Sequence, residues 1–158
     1  MAVYSFQRVQ HIPAALAQVW DFFSNHTNLQ AITPGNMNFK IISGHNDENM
    51  YAGQIIEYTL TPISGIRLYW MTEITHVREN EFFVDEQRKG PYILWHHQHH
   101  FKEIAGGVEM TDIVHYEIPL WIIGDMANSL FVKNKLKKIF DFRRQKIEEL
   151  FGKWIGAN

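Results

Sequence analysis

A chain of 158 residues with 46% hydrophobic content is long enough to bury one core, and we read residues 1–158 as a single domain. A formal net charge of −2 supplies no basic field, which argues against nucleic acid as a partner. The absence of cysteine excludes disulfides, thiolate metal sites and a cysteine nucleophile.

The first residues, MAVYSFQRVQ, lack the apolar core of a signal peptide, and no apolar run is long enough to span a bilayer. The expectation is a soluble cytoplasmic protein. Val3 to His11 alternates as a strand, with Val3, Ser5, Gln7 and Val9 on one side and Tyr4, Phe6 and Arg8 on the other. Pro13 suits the first turn of a helix, and Leu16, Val19, Trp20 and Phe23 continue it at helical spacing to Ser24. A shorter helix is expected around Leu29 to Ile32, capped by Asn25 to Thr27 and ended by Pro34 and Gly35.

Six strands follow. The first contains Phe39 and Ile41 and closes near Gly44 to Asn49. The others run Tyr51–Thr61, Ile66–Val77, Glu81–Arg88, Tyr92–Glu103 and Val108–Ile118. Pro62 and Gly65, Glu79-Asn80, Lys89-Gly90-Pro91 and Ala105-Gly106-Gly107 punctuate them, and Pro119 stops the last. Short turns imply antiparallel neighbours, about seven strands in all. From Asp125 to Phe151 the period changes to that of a long helix. Met126, Leu130, Leu136, Ile139, Phe140, Ile147, Leu150 and Phe151 form its apolar stripe, Asp125 its N-cap and Gly152 its stop. A sheet laid against one long C-terminal helix, with two short helices after the first strand, is an α+β arrangement.

Strand parity then sorts the side chains. Trp95, His97, His99 and Phe101 share one side of their strand, and Leu94, His96, Gln98, His100 and Lys102 share the other. Met110, Asp112, Val114, Tyr116 and Ile118 share a side of the next strand. If the hairpin closes on Ile104 to Gly107, Phe101 faces Met110, His99 faces Asp112, His97 faces Val114 and Trp95 faces Tyr116. Trp70, Thr72 and Ile74 share a side of their strand, and Phe83, Asp85 and Gln87 extend the inner face from a fourth. That face carries imidazoles and carboxylates among aromatics. Buried polar groups must pair, so they either satisfy one another or line a cavity. A strongly curved sheet around one helix leaves such a space.

The run His96-His97-Gln98-His99-His100 is the most unusual local feature. His97, His99 and Asp112 have the chemistry of a zinc or non-haem iron site. An i, i+2 pair is also a common product of strand alternation, and no cysteine or helical histidine pair supports a metal. A hydrogen-bonded patch is the expectation, with no metal and no cofactor. His99 and Asp112 are candidate catalytic residues, since a carboxylate can fix the tautomer of an imidazole and raise its pKa for proton transfer. A structural His–Asp bond is the commoner outcome. The basic residues of the last helix read as a solvated face.

Several segments resemble the START/Bet v 1-like (SRPBCC) superfamily, and within it a bacterial ligand-binding or cyclase/dehydrase-like branch. They are Leu29-Gln30-Ala31-Ile32-Thr33-Pro34, Phe82 to Gln87, Gly90-Pro91-Tyr92 leading into Trp95, His97, His99 and Phe101, then Met110-Thr111-Asp112, Tyr116, Pro119-Leu120 and Ile139 to Arg143. The likeness covers nearly the whole chain and implies that superfamily's helix-grip fold, a curved sheet wrapped on the C-terminal helix. It departs at Leu120-Trp121-Ile122-Ile123-Gly124, where such proteins tend to be glycine-rich; these bulky residues either lid a cavity, meet a partner or pack at the helix entrance. The resemblance implies a small hydrophobic ligand, such as a lipid, isoprenoid or polyketide-like aromatic, held between sheet and helix. Its expected contacts are Tyr58, Trp70, Phe83, Asp85, Trp95, His97, His99, Phe101, Asp112 and Tyr116. The rival readings are a cyclase, dehydratase or isomerase using His99 with Asp112, and a protein-interaction module, with a homodimer left open.

Overall fold

The computed structural model describes residues 2–43, 49–63, 66–119 and 125–156, with 63 and 125–129 described by backbone alone. Element order is β1 (Tyr4–Ile12), α1 (Leu16–Ser24), two 3-10 turns (His26–Gln30 and Gly35–Met37), β2 (Lys40–Ser43), β3 (Ile55–Ile63), β4 (Ile66–Arg78), β5 (Phe82–Lys89), β6 (Leu94–Ile104), β7 (Gly107–Glu117) and α2 (Asp125–Phe151). The seven strands form one antiparallel sheet in the order β1-β7-β6-β5-β4-β3-β2. The first strand pairs with the last, so α1 and the 3-10 turns carry the chain from one sheet edge to the other. This is the α+β arrangement expected from the order of periodicities, and the helix-grip fold that the resemblance implies.

The registers follow from parity. Phe101 pairs with Met110, His99 with Asp112, His97 with Val114 and Trp95 with Tyr116, as the hairpin turn demands. On β1, Tyr4, Phe6 and Arg8 are shielded while Ser5, Gln7 and Val9 are exposed. The β6–β7 hairpin lies hard against the end of β1. A Cβ at Gly107 would stand 2.1 Å from the Ile12 carbonyl oxygen, so only glycine fits.

Three local expectations need correction. The first helix starts at Leu16, not Pro13, because the Ala14 N–H donates to the Ile12 carbonyl at 2.9 Å and turns the chain tightly around Pro13. The short second helix is two 3-10 turns. The Asn25 side chain accepts from Thr27 N at 3.0 Å to cap the first, and Pro34 precedes the second rather than ending a helix. β3 begins at Ile55 because Tyr51 to Gln54 form a turn closed by Gln54 N–H to the Tyr51 carbonyl.

α2 is about 40 Å long at about 1.5 Å per residue. Leu136, Phe140 and Ile147 are buried against the sheet, but Leu130 and Leu150 are exposed, against expectation. Both fall roughly 80° from Phe140 around the helix, at the flanks of a stripe that the curved sheet grips only along its centre. Arg8 on β1 pairs with Asp141, Gln10 donates to the Arg144 carbonyl at 3.1 Å, and the Phe6 and Phe140 rings lie 4.8 Å apart. Gly152 ends the helix at φ 98°. At the closed end, Ile12, Val19, Trp20, Phe23, Phe101, Val108, Met110 and Ile147 form a solid core.

Several expectations lie outside the described residues: the Asp125 cap and Met126 packing, most of the Gly44–Asn49 loop, the turn at Gly65, and the segment Leu120 to Gly124 with its Trp121-Ile122-Ile123 patch. Among the described residues no helix is long and apolar enough to cross a membrane.

Candidate functional site

Above the solid core α2 stays in contact with β1 and β7, through Leu136 and Phe140 against Phe6, Val114 and Tyr116, but leaves a space over the other strands. A cavity of about 460 Å³ remains between the inner face of β3 to β6, the 3-10 turns and the middle of α2. That volume suits a small organic ligand. Ile56, Leu60, Trp70, Trp95, Ile139 and Phe140 give much of its apolar wall, while Thr72, Asp85, His97, His99, His26, Lys135 and Arg143 are polar positions on it. The wall is ordered by ring packing: Tyr58 stacks on Trp70 at 5.9 Å, and Trp95 meets Trp70 edge-on at 5.3 Å. Thr72 Oγ1 accepts from Trp70 Nε1 at 3.0 Å and bonds the Tyr58 hydroxyl at 3.2 Å.

The polar end is built by three neighbouring strands. β6 supplies His97 and His99, β5 supplies Asp85 opposite His97, and β7 supplies Asp112 opposite His99. The four groups close into a ring. Asp112 Oδ1 lies 2.9 Å from His97 Nε2 and 3.0 Å from His99 Nδ1. Asp85 Oδ2 lies 2.9 Å from His99 Nε2 and 3.4 Å from His97 Nδ1. The two well-formed hydrogen bonds are the diagonal ones, His97 to Asp112 and His99 to Asp85. His99 Nδ1 is close to Asp112 but out of line for a hydrogen bond, so that contact is electrostatic. The pairing expected from register, His99 with Asp112, is therefore a contact within a four-membered set rather than an isolated dyad. The imidazole centroids lie 3.7 Å apart with the ring planes tilted by 40°, and Phe83 stacks on His99 at 4.1 Å.

Burial sets the electrostatics. It favours the uncharged forms of both aspartates, but the imidazoles and their hydrogen bonds more than offset this, so Asp85 and Asp112 both sit below the usual carboxylate range. Arg143 adds to the lowering at Asp85. Burial, then the neighbouring His99, pushes His97 down. Burial also opposes charge on His99, but the close Asp112 carboxylate and the hydrogen-bonded Asp85 together raise it above the ordinary histidine value.

Tyr58, Trp70, Phe83, Asp85, Trp95, His97 and His99 all line the cavity. Phe101, Asp112 and Tyr116 are buried but lie outside its lining. Phe101 belongs to the solid core against Trp20 and Phe83, Tyr116 packs with Val114, Leu136 and Phe140, and Asp112 stands behind the imidazoles. The sequence reading missed Arg143 and Lys135, which it assigned to a solvated helix face. Arg143 follows Phe140 by three residues and Ile139 by four, which turns it onto the gripped stripe. Its guanidinium carbon sits 5.0 Å from the Phe140 ring.

No protein-family model matches the chain, and no curated protein matches its sequence. Solved structures are similar to it in fold. The Thermus thermophilus protein TTHA0849 superposes with a TM-score of 0.69 at 12% identity, over 93% of this chain and 99% of that one. Ginseng major latex-like protein 151 from Panax ginseng gives 0.68 at 14% identity, over 94% and 97%. A START superfamily protein from Mycobacterium smegmatis gives 0.67 at 12% identity, over 93% and 96%. The seven-stranded sheet gripping a long C-terminal helix is thus the fold of the START/Bet v 1-like (SRPBCC) proteins.

Proposed function

We propose that the chain binds a small hydrophobic molecule in the cavity, in the size class of a lipid, an isoprenoid or a polyketide-like aromatic. The observation that carries this reading is the 460 Å³ space itself, apolar over most of its wall and polar at one end. Tyr58, Trp70, Phe83 and Trp95 give flat apolar surface, with Phe101 and Tyr116 packed behind. Asp85, His97 and His99, backed by Asp112, receive a polar end from the sheet side, and Arg143 from the helix side. Ligand that binds only the folded chain stabilises it by about 2.7 kcal/mol at a hundredfold excess over Kd. For a domain of this size that is a rise in Tm of roughly 5–10 °C. The test is a thermal-shift screen of fatty acids, isoprenoids and flat aromatics in chelator-containing buffer, with native mass spectrometry of the purified protein. A shift that Ile139→Trp removes by filling the cavity supports the reading. No shift across the library, and no co-purified molecule, overturns it.

A second reading, a cyclase, dehydratase or isomerase, is favoured by one observation: Asp85, His97 and His99 face the cavity rather than solvent. His99 would carry the proton and the carboxylates would orient it. His99→Gln would then abolish turnover of a bound ligand while leaving its thermal shift, whereas equal loss of both would mark the ring as structural.

A further inference from the structure

We infer that Asp85, His97 and His99 form a site for one divalent transition-metal ion of the zinc class, opening on the cavity, with Asp112 orienting both imidazoles from behind. The argument is geometric. Each imidazole has one nitrogen turned to Asp112 and one turned to Asp85. The outer nitrogens, His97 Nε2 and His99 Nδ1, converge on a single oxygen of Asp112. The inner nitrogens, His97 Nδ1 and His99 Nε2, converge on a single oxygen of Asp85, and Asp85, His97 and His99 each offer a donor atom within 4.8 Å of the others'. The Asp85 oxygen is 2.9 and 3.4 Å from the two nitrogens. Metal–ligand bonds of about 2.1 Å place neighbouring donors about 3.0 to 3.4 Å apart, which both carboxylate–imidazole edges already approach.

The layering is that of a ligand set with its support. A metal-binding histidine hands its outer nitrogen to a carboxylate, which fixes tautomer and ring orientation; Asp112 does this for His97 by a hydrogen bond and stands 3.0 Å from the outer nitrogen of His99. The three donors line the cavity and Asp112 does not. An ion there keeps an open position facing the cavity, where it can polarise a ligand oxygen or a water. The donor chemistry, two imidazoles and one carboxylate, suits zinc and its first-row neighbours rather than magnesium or calcium.

The site stands or falls apart from hydrophobic-ligand binding, so it is tested on delipidated, chelator-treated full-length chain with metal alone. Zinc is titrated by calorimetry and cobalt(II) by visible absorption. One equivalent at micromolar ion, with the intense cobalt bands of a four-coordinate site, is expected. Asp85→Asn should weaken binding by at least about a hundredfold, and Asp112→Asn by about ten- to a hundredfold with unchanged stoichiometry. The outer-face variants His96→Gln and His100→Gln should leave affinity unchanged. Near-UV circular dichroism checks each fold, and should Asp85→Asn not fold, the zinc-induced rise in Tm is compared between wild type and His99→Gln. Failure of the wild-type chain to bind either ion, or loss of binding on changing His96 or His100, overturns the assignment and leaves a proton-sharing ring.

Discussion

The two faces of β6 carry the same chemistry to opposite ends. On the inner face His97 and His99 are buried between two aspartates, each imidazole meeting a carboxylate on both sides. On the outer face His96 and His100 are half-buried and bridged by Gln98. His96 donates from Nδ1 to Glu86 at 2.9 Å, Gln98 donates to His96 at 3.1 Å, and His100 donates to Gln98 at 2.9 Å. That outer row continues through Glu86 and Arg88 to Glu73 as a solvated ladder. Adjacent residues of one type therefore differ in state because one face is dry. Solvent screens the outer ladder, so each contact there is weak. Burial leaves the inner ring little solvent screening, so each of its groups depends on the others.

The comparison can be broken most strongly at Asp112. Asp112→Asn keeps the shape but removes the charge facing both imidazoles, and should destabilise the metal-free chain by about 3–5 kcal/mol in urea unfolding, the usual cost of stranding one member of a buried ionic set. Next comes Thr72→Val at the ring's apolar border. It leaves the buried Trp70 indole N–H without its acceptor and removes the partner of the Tyr58 hydroxyl. A loss of about 1–3 kcal/mol is expected. The outer control, His96→Gln, removes a screened contact to Glu86 and should cost less than about 1 kcal/mol. Should His96→Gln match Asp112→Asn, the contrast between the faces would be wrong.

Acid sharpens the same contrast. Asp85 and Asp112 have lowered folded-state values, so the stability they contribute is present above the unfolded carboxyl pKa of about 4 and is lost as pH falls below it. His97, lowered by burial, acts in the same direction below about 6.5, because the unfolded chain takes up the proton first. His99, raised, acts oppositely: its contribution is complete below about 6.5 and is lost as pH rises through its folded-state value. Stability of the metal-free wild type, followed by urea unfolding, should drop steeply in acid. The Asp112→Asn curve should have a shallower acid limb and converge on the wild type. Parallel curves at all pH values would show that Asp112 does not couple to the imidazoles.

Much of this architecture is legible in one dimension because periods two and 3.6 are local properties. Alternation from Trp95 to Phe101 and from Met110 to Tyr116, with a turn at Gly106-Gly107, leaves one register that hides the aromatics, and that register is present. It also brings Asp112 beside His99. Less legible were the margins of α2. Leu130 and Leu150 satisfy helical spacing yet face water, since how wide a stripe is buried depends on the curvature of the sheet around it. Arg143 was hidden for the same reason, a cation being assigned to solvent by default. The diagonal pairing is likewise a product of three strands together: Asp85 reaches the ring from β5, and the sheet aligns its oxygen with the inner nitrogens.

Which side chains turn inward was written in the amino-acid order alone, because each strand residue projects opposite to its neighbours whatever the rest of the chain does. Whether those inward groups would meet the helix or open onto a space was decided only in three dimensions. The distance between a curved sheet and a gripped helix is set by the packing of the solid end, where Ile12, Val19, Val108, Met110 and Ile147 close the core, and no local pattern encodes that distance.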